Sequence, residues 1–307
     1  MSRVVIAGAG VIGKALGQKL SETHDVRAVR YSNDLPSPSG RLSWYQADLT
    51  TMHGAEVALT GANTVVFLAQ ARRNPGRLPR ASLDDLDRLL ADSLARASKL
   101  VGAQHVVVFA SKEDDVRIPL LEQSGVPLSV LRGGGPDPVE QLAQMVNSAA
   151  PASSQTAAWS GSPPEDRAPS IPTCSIQRYS RPAGWKAIDI ARAYFKWLPS
   201  DVPLVKTAEH EGVFTISVAG VRGLVLRLVQ GRSCDDCAWL AVSDGAMNGG
   251  AEDARFEFRN LLDGATSMAA LLGYQPALPW PIYRFTQAVM HERVMRRFGD
   301  WLAEQKA

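Results

Sequence analysis

RVVIAGAGVIGKALGQKL, Arg3 to Leu20, decides the fold. A short apolar run of strand-forming residues passes directly into Gly8-Ala9-Gly10-Val11-Ile12-Gly13, and an amphipathic helical pattern follows from Val11 to Leu20. Gly8, Gly10 and Gly13 match Gly-x-Gly-x-x-Gly. Its glycines permit a tight turn, close approach of backbone to a pyrophosphate, and close packing of helix on strand, with the helix N-terminus facing the phosphates. Glycines in this spacing also occur in ordinary tight turns. The strand before them and the helix after them favour dinucleotide binding, with Gly8, Gly10, Val11, Ile12 and Gly13 as the residues that hold it.

Outward from this stretch, apolar runs alternate with helical patterns as far as about Ala149, as in repeated strand-helix-strand units. The predicted strands are Arg3 to Ala7, Val26 to Arg30, Leu42 to Gln46, Thr64 to Leu68, His105 to Ala110 and Leu128 to Leu131. Their near-continuous apolar character implies burial on both faces, hence an α/β domain over 1–150 with a doubly wound parallel sheet. At the end of the second strand, VRAVRYSND carries Arg30 and no acid until Asp34. An acid there would grip the ribose 2′-hydroxyl, whereas a guanidinium pairs with a 2′-phosphate, so NADP(H) is favoured over NAD(H). The plainer alternative is a solvated arginine at a strand end.

Three further segments carry a family resemblance. WYQADLT (Trp44 to Thr50), TGANTVVFLAQAR (Thr60 to Arg72) and SGVPLSVLRGGGPDP (Ser124 to Pro138) follow the glycine motif in an order that resembles the extended and atypical short-chain dehydrogenases, NmrA-like proteins included. The resemblance implies an NAD(P)-binding Rossmann fold over about the first 135 residues. It also implies adenine contact by Asp48 and Leu49, and cofactor contact by Leu68, Ala69 and Gln70.

In that family the fifth strand ends in a serine, and a Tyr-x-x-x-Lys downstream supplies the acid or base. VVVFASKEDDVRIPLLEQSG, Val106 to Gly125, has Ser111 in the serine's place, but no tyrosine lies between Tyr45 and Tyr179 and Tyr-x-x-x-Lys occurs nowhere. The atypical members share this departure; some reduce substrates with other donors and some sense NADP(H) without turnover. Ser111 and Lys112 are the candidate catalytic residues, and Asp114 is a candidate base. The competing reading has Asp114 capping a helix from Asp115 to Gln123 in an otherwise solvated loop.

Pro151 to Pro172 is rich in Pro, Ser and Ala and reads as a linker, with Trp159 as its one aromatic. Beyond it a strand-like CSIQRYSRP leads to a helix from Trp185 to Pro199. Strand-like runs follow at Glu211 to Ala219, Gly223 to Gln230, Cys237 to Ser243, Ala254 to Asn260 and Thr266 to Gly273, then a helix from about Pro281 to Gln305. That order over 173–307 resembles an α+β antiparallel helix-grip domain of the START-like class. The alternative is the substrate lobe of an extended dehydrogenase. On the last helix Phe285, Ala288, Val289, Val294 and Phe298 form an apolar stripe, with His291, Glu292, Arg293, Arg296 and Arg297 partly opposite. The stripe serves a core, or it lines a cavity for a lipophilic ligand anchored by His291. Cys234 and Cys237 form a lone Cys-x-x-Cys in an expected turn, without the further ligands that zinc needs, so no metal is assigned.

The 307 residues are 45% hydrophobic and 21% charged with a net charge of +2, as in a globular protein without a basic stripe for nucleic acid. No run is long enough to span a membrane, and the N-terminus and three cysteines fit a cytoplasmic location. Two functions remain: an oxidoreductase acting on a small, apolar carbonyl substrate, or a nucleotide sensor that binds a lipophilic ligand. A homodimer is compatible with either.

Overall fold

The computed structural model describes residues 2–70, 81–110, 112–133, 137–148, 155–156, 173–251, 253–279 and 287–305. Ser111, Trp159, Phe285 and the start of the last predicted helix lie outside them. The chain divides into two compact units, one carrying the strands β1–β7 and the other β8–β14.

The first unit is a parallel sheet of β1 (Arg3–Ala7), β2 (Asp25–Arg30), β3 (Leu42–Gln46), β4 (Thr64–Phe67), β5 (His105–Ala110), β6 (Leu128–Arg132) and β7 (Gln155–Thr156), in the order 3-2-1-4-5-6-7. The helices are α1 (Val11–Leu20), α2 (Met52–Leu59), α3 (Leu83–Leu100), α4 (Ile118–Glu122) and α5 (Pro138–Asn147). Every residue of HVVVFA in β5 is buried, as a strand covered on both faces must be. On one face Leu16 and Leu20 of α1 and Leu142 and Met145 of α5 pack over Ile6, Val26, Val107 and Leu131. Local chemistry starts the helices. Thr51 Oγ1 accepts from the Gly54 amide (2.8 Å) before α2, and Asp137 Oδ1 accepts from Val139 and Glu140 amides before α5, where Pro138 sits at the first position.

Two expectations change here. β7 adds to the edge of the sheet beside β6 within the segment read as linker. The short helix after β5 begins at Ile118, and its flanking residue is Arg117, with no side-chain cap. Asp114 does not cap it; the neighbouring Asp115 accepts instead from the Arg117 backbone amide at 3.1 Å.

The second unit is an antiparallel sheet in the order 8-14-13-12-11-10-9: β8 (Thr173–Ser180), β9 (Val205–His210), β10 (Val213–Val218), β11 (Val221–Leu228), β12 (Cys237–Asp244), β13 (Arg255–Asn260) and β14 (Thr266–Tyr274). α6 (Ala187–Asp201) precedes β9 and α7 (Gln287–Glu304) follows β14. The expected five-strand run is joined at one edge by β8, which contains the strand-like CSIQRYS, and at the other by β9, which was not expected. β13 alternates: Phe256 and Phe258 join the core beneath the helices, while Arg255, Glu257 and Arg259 occupy the other face, also buried. Glu257 accepts from Arg259 Nε at 2.5 Å and from Arg255 Nε at 3.4 Å, and Arg255 lies over the Trp239 ring at 4.5 Å.

On α7, Val294, Met295, Phe298 and Leu302 are the buried residues of the core face. Two assignments on that helix are corrected. Val289 is exposed, and His291 turns its Nε2 inward. The helical period places His291 with Val294, Met295 and Phe298, three, four and seven residues on, and puts Val289 off that face. Among the described residues no helix is long and apolar enough to cross a membrane.

Candidate functional site

The order of the parallel sheet reverses at β1, which has β2 on one side and β4 on the other. In such a sheet the crevice at the strands' C-terminal ends, at the reversal, is where ligands bind. The backbone there is clamped from both sides. Gly8 and Ala9 donate to the Val29 carbonyl (3.2 and 2.9 Å), and Leu68 and Ala69 donate to the Ala7 carbonyl (2.8 Å each). Gly8 has φ +95°, and a Cβ on it would stand 2.3 Å from the Ala69 nitrogen. No residue with a side chain fits. A Cβ on Gly13 would meet Ala9 Cβ at 3.2 Å and Ile6 Cγ2 at 3.3 Å, so α1 lies close on β1.

α1 begins at Gly10 with no side-chain cap and no acid in its first turn. Among the described residues no side chain caps the Val11, Ile12 and Gly13 amides, and the helix dipole adds positive potential at the same point. An anion fits this arrangement.

Arg30 ends β2, and its Nη1 donates to the Asp34 carbonyl at 3.3 Å. The loop beneath it is held by Asp34 N–H to Ser32 Oγ (3.1 Å) and by Gln46 Nε2 to the Tyr31 carbonyl (3.4 Å) and to Asn33 Oδ1. Asp48 Oδ1 accepts from both the amide (3.0 Å) and the hydroxyl (2.6 Å) of Thr50, forming the turn into α2, and Leu49 is buried. Leu68, Ala69 and Gln70 are half-buried at the end of β4, and Gln70 Nε2 donates to the Phe109 carbonyl at 3.5 Å.

One residue of this edge escaped the sequence reading. Arg117 is 1% exposed although it is a cation. Its Nε donates to Asp115 Oδ1 (2.8 Å), its Nη2 to Asp115 Oδ2 (2.5 Å) and the Phe109 carbonyl (2.8 Å), and its Nη1 to the Ala69 carbonyl (2.8 Å). The guanidinium also lies over the Phe67 ring at 5.0 Å. It thus ties β4 to β5 directly behind the Gly8 contact. Burial pushes the Asp115 carboxyl up, but the Arg117 hydrogen bonds and charge, with Lys112 adding to them, outweigh it and hold the group below its ordinary value. The sequence signal is only Asp-x-Arg in a polar loop, and the arginine's other partners are backbone carbonyls that no motif reveals.

Of the candidate catalytic pair, Ser111 lies outside the described residues and Lys112 is exposed beyond the end of β5. Arg132 Nη1 reaches back to the Glu113 carbonyl at 2.5 Å, and the Gly133 amide donates to the Ala110 carbonyl at 2.9 Å, so β6 secures this loop. The tyrosines of β2 and β3 do not approach it in the fold: Tyr31 follows β2 and Tyr45 lies within β3, at the far side of β1 from β5.

In the second unit the space between α6, α7 and the sheet holds aromatic rings packed mostly edge to face. Tyr194 lies 5.2 to 5.7 Å, centre to centre, from Phe195, Phe256, Phe258 and Phe298. His291 Nε2 is enclosed there without a hydrogen-bond partner, and desolvation lowers its pKa to about 4. The Tyr179 hydroxyl is likewise enclosed and unpartnered, and burial raises its pKa well above the ordinary value. Cys234 and Cys237 face each other across a turn, exchanging backbone hydrogen bonds of 2.8 and 3.1 Å. Cys237 is buried, with burial foremost and Glu257 next in raising its pKa. Among the described residues no group of three or more His, Cys, Asp or Glu is placed to hold a metal ion.

No family model matches the chain. It is 22% identical over 303 residues to the auxiliary protein GraX of Staphylococcus aureus, across 96% of this chain and 92% of that protein. Three solved structures share part of it. A Rossmann-fold NAD(P)-binding family protein of Shigella flexneri is 17% identical over 44% of this chain and 68% of its own, with a TM-score of 0.36. Bordetella bronchiseptica WbmG, in complex with NAD, is 18% identical over 43% and 53%, at 0.38. A nucleoside-diphosphate-sugar epimerase of Staphylococcus aureus is 16% identical over 44% and 51%, at 0.36.

Proposed function

We propose that the first unit binds NADP(H) and that the chain is an oxidoreductase of the atypical short-chain dehydrogenase class, exchanging a hydride with a small, apolar carbonyl substrate. The observation that carries this reading is the uncapped start of α1 beside the Gly8–Ala69 contact, at the point where the strand order reverses. Gly8 to Gly13 would hold the pyrophosphate, Arg30 the 2′-phosphate, Asp48 and Leu49 the adenine side, and Leu68 to Gln70 the nicotinamide half. The bound nicotinamide supplies the hydride chemistry. The chain's part is to fix the ends of β4 and β5 through Arg117, while Ser111 and Lys112 orient the carbonyl oxygen by donating hydrogen bonds to it.

The second unit is proposed to be a helix-grip domain, a reading supported by a seven-strand antiparallel order closed by β8 against β14 with α7 packed on one face. A second function, nucleotide sensing without turnover, is favoured by the absence of Tyr-x-x-x-Lys from the sequence and by similarity along nearly the whole chain to a protein named as auxiliary.

Calorimetric titration with NADPH and NADH tests the shared premise: absence of binding by either removes both readings. Consumption of NADPH with a panel of aldehydes, ketones and enones then separates them. Turnover that falls in Ser111→Ala or Lys112→Ala supports the enzyme; tight binding with no turnover on any member leaves the sensor.

A further inference from the structure

The exposed large apolar side chains of the second unit gather at one end of it. Among the described residues they are Leu204, Val218, Val221, Leu278, Val289 and Met290. The topology brings them together. Val218 and Val221 flank the turn between β10 and β11, and Val218 pairs with Val205, the residue after Leu204. The Ala219 amide donates to the Leu204 carbonyl at 2.9 Å. Leu278 follows Ala277, whose amide donates to the Met247 carbonyl (3.1 Å), while the Met247 amide donates to Gly223 (2.9 Å) two residues past Val221. Val289 and Met290 lie in the first turn of α7. That helix meets the last residue of α6 through Arg297 and Asp201 (2.5 Å), and its start reaches beyond that point. At the other end of the sheet, Glu211, Asp235, Asp236 and Asp263 occupy the corresponding turns.

Leu204 is the most informative of the six. It is 73% exposed and has φ +65°, a left-handed conformation that crowds a Cβ and suits glycine. An exposed aliphatic side chain on a left-handed backbone adds no burial to its own unit, and strain of this kind clusters at functional surfaces. Val221 and Met290 are 59% and 58% exposed. The charges around them are unequal. Arg222 is paired with Asp244 (3.0 Å) and Arg297 with Asp201, while among the described residues at this end Lys206, Arg293 and Arg296 are exposed cations against one exposed acid, Asp253, and the half-buried Glu292.

We propose that this end of the second unit is a reversible docking surface for an anionic lipid bilayer. The aliphatic tips enter the boundary between headgroups and acyl chains, and Lys206, Arg293 and Arg296 meet the lipid phosphates. The apolar groups stand on a hairpin turn, the turn from α6 into β9, the segment after β14 and a helix end, and do not form one element's face. A fluid bilayer accepts such separate tips, whereas a partner protein or a second copy needs a matching surface. Neither the tips nor three cations suffice alone, so binding requires both. This inference stands apart from the nucleotide reading.

The test is flotation of the full chain with vesicles of pure phosphatidylcholine and with vesicles of equal parts phosphatidylcholine and phosphatidylglycerol. The expected result is recovery with the anionic vesicles, reduced by added salt, and little with the neutral ones. Leu204→Gly should raise the melting temperature, because the strain is relieved, yet weaken vesicle binding by roughly tenfold or more, the loss of one inserted leucine. Val221→Asp should weaken it further, and Leu100→Asp, an exposed apolar position of the first unit, should leave it unchanged. The proposal is overturned by failure to float with either vesicle, by variants that float like the parent, or by concentration-dependent self-association that Leu204→Gly abolishes in the absence of lipid binding.

Discussion

Arg117 holds Ala69 by a 2.8 Å hydrogen bond to its carbonyl, and the amide nitrogen of the same Ala69 closes the space beside Gly8. A buried cation from the loop after β5 therefore sets the width of the crevice at the head of β1. Replacing it by methionine leaves Asp115 buried without its partner, and breaking such a pair costs about 3–5 kcal/mol. Arg117→Met should lower the urea midpoint accordingly, and Arg117→Met with Asp115→Leu should recover part of the loss. If the single variant unfolds at the parent's midpoint, the clamp has no structural weight.

Gly8→Ala introduces a Cβ where φ is +95° and a backbone nitrogen lies 2.3 Å away. Relief requires β1 to move from β4, at a cost of about 3 kcal/mol from overpacking and strain together. NADPH binding should be lost in this variant even where it remains folded, as judged by circular dichroism and calorimetry. Gly13→Ala, with contacts of 3.2 and 3.3 Å, should be milder in both measurements.

Arg30→Asp reverses the charge at the end of β2. Loss of charge-assisted hydrogen bonds to a 2′-phosphate, each about 1.5–3 kcal/mol, should weaken NADPH by roughly tenfold or more and leave NADH unchanged or tighter. Equal weakening of both nucleotides would remove Arg30 from the 2′-phosphate position.

His291 gives the second unit a pH dependence whose sign follows from its surroundings. The folded chain holds the imidazole neutral down to a pKa of about 4, whereas the ordinary value is 6.5. The unfolded state thus binds the extra proton between these values. The stabilisation is complete above pH 6.5 and drains away as pH falls towards 4, by about 3 kcal/mol in all. His291→Phe should flatten the urea midpoint over this window. His105, which burial also lowers, contributes a separate slope in the first unit that His291→Phe leaves in place.

The parts of the fold legible in the sequence are those fixed by near neighbours. Gly8, Gly10 and Gly13 announce their turn because backbone conformation is a local property, and β5 announces itself because burial on both faces leaves six consecutive residues without a charge needing water. β9 was missed for the opposite reason: VKTAEH is an edge strand with polar residues at four of its six positions. Arg117 was illegible because its partners, Ala69 and Phe109, are presented by strands folded from distant sequence, and backbone carbonyls carry no residue identity. The resemblance implies an adenine contact for Asp48, and its Oδ1 also accepts from Thr50, a turn bond that the Asp-Leu-Thr spacing suggests by itself.

The alternation along β13 has a consequence for how the second sheet assembles. A slip of one residue against β12 or β14 would carry Arg255, Glu257 and Arg259 under the helices, among Tyr194 and Phe298, and turn Phe256 and Phe258 to the face those charges now occupy. Oil and ions would change places at once, so no neighbouring alignment is a shallow trap. β13, an interior strand paired on both sides, therefore works as a key with a single fit.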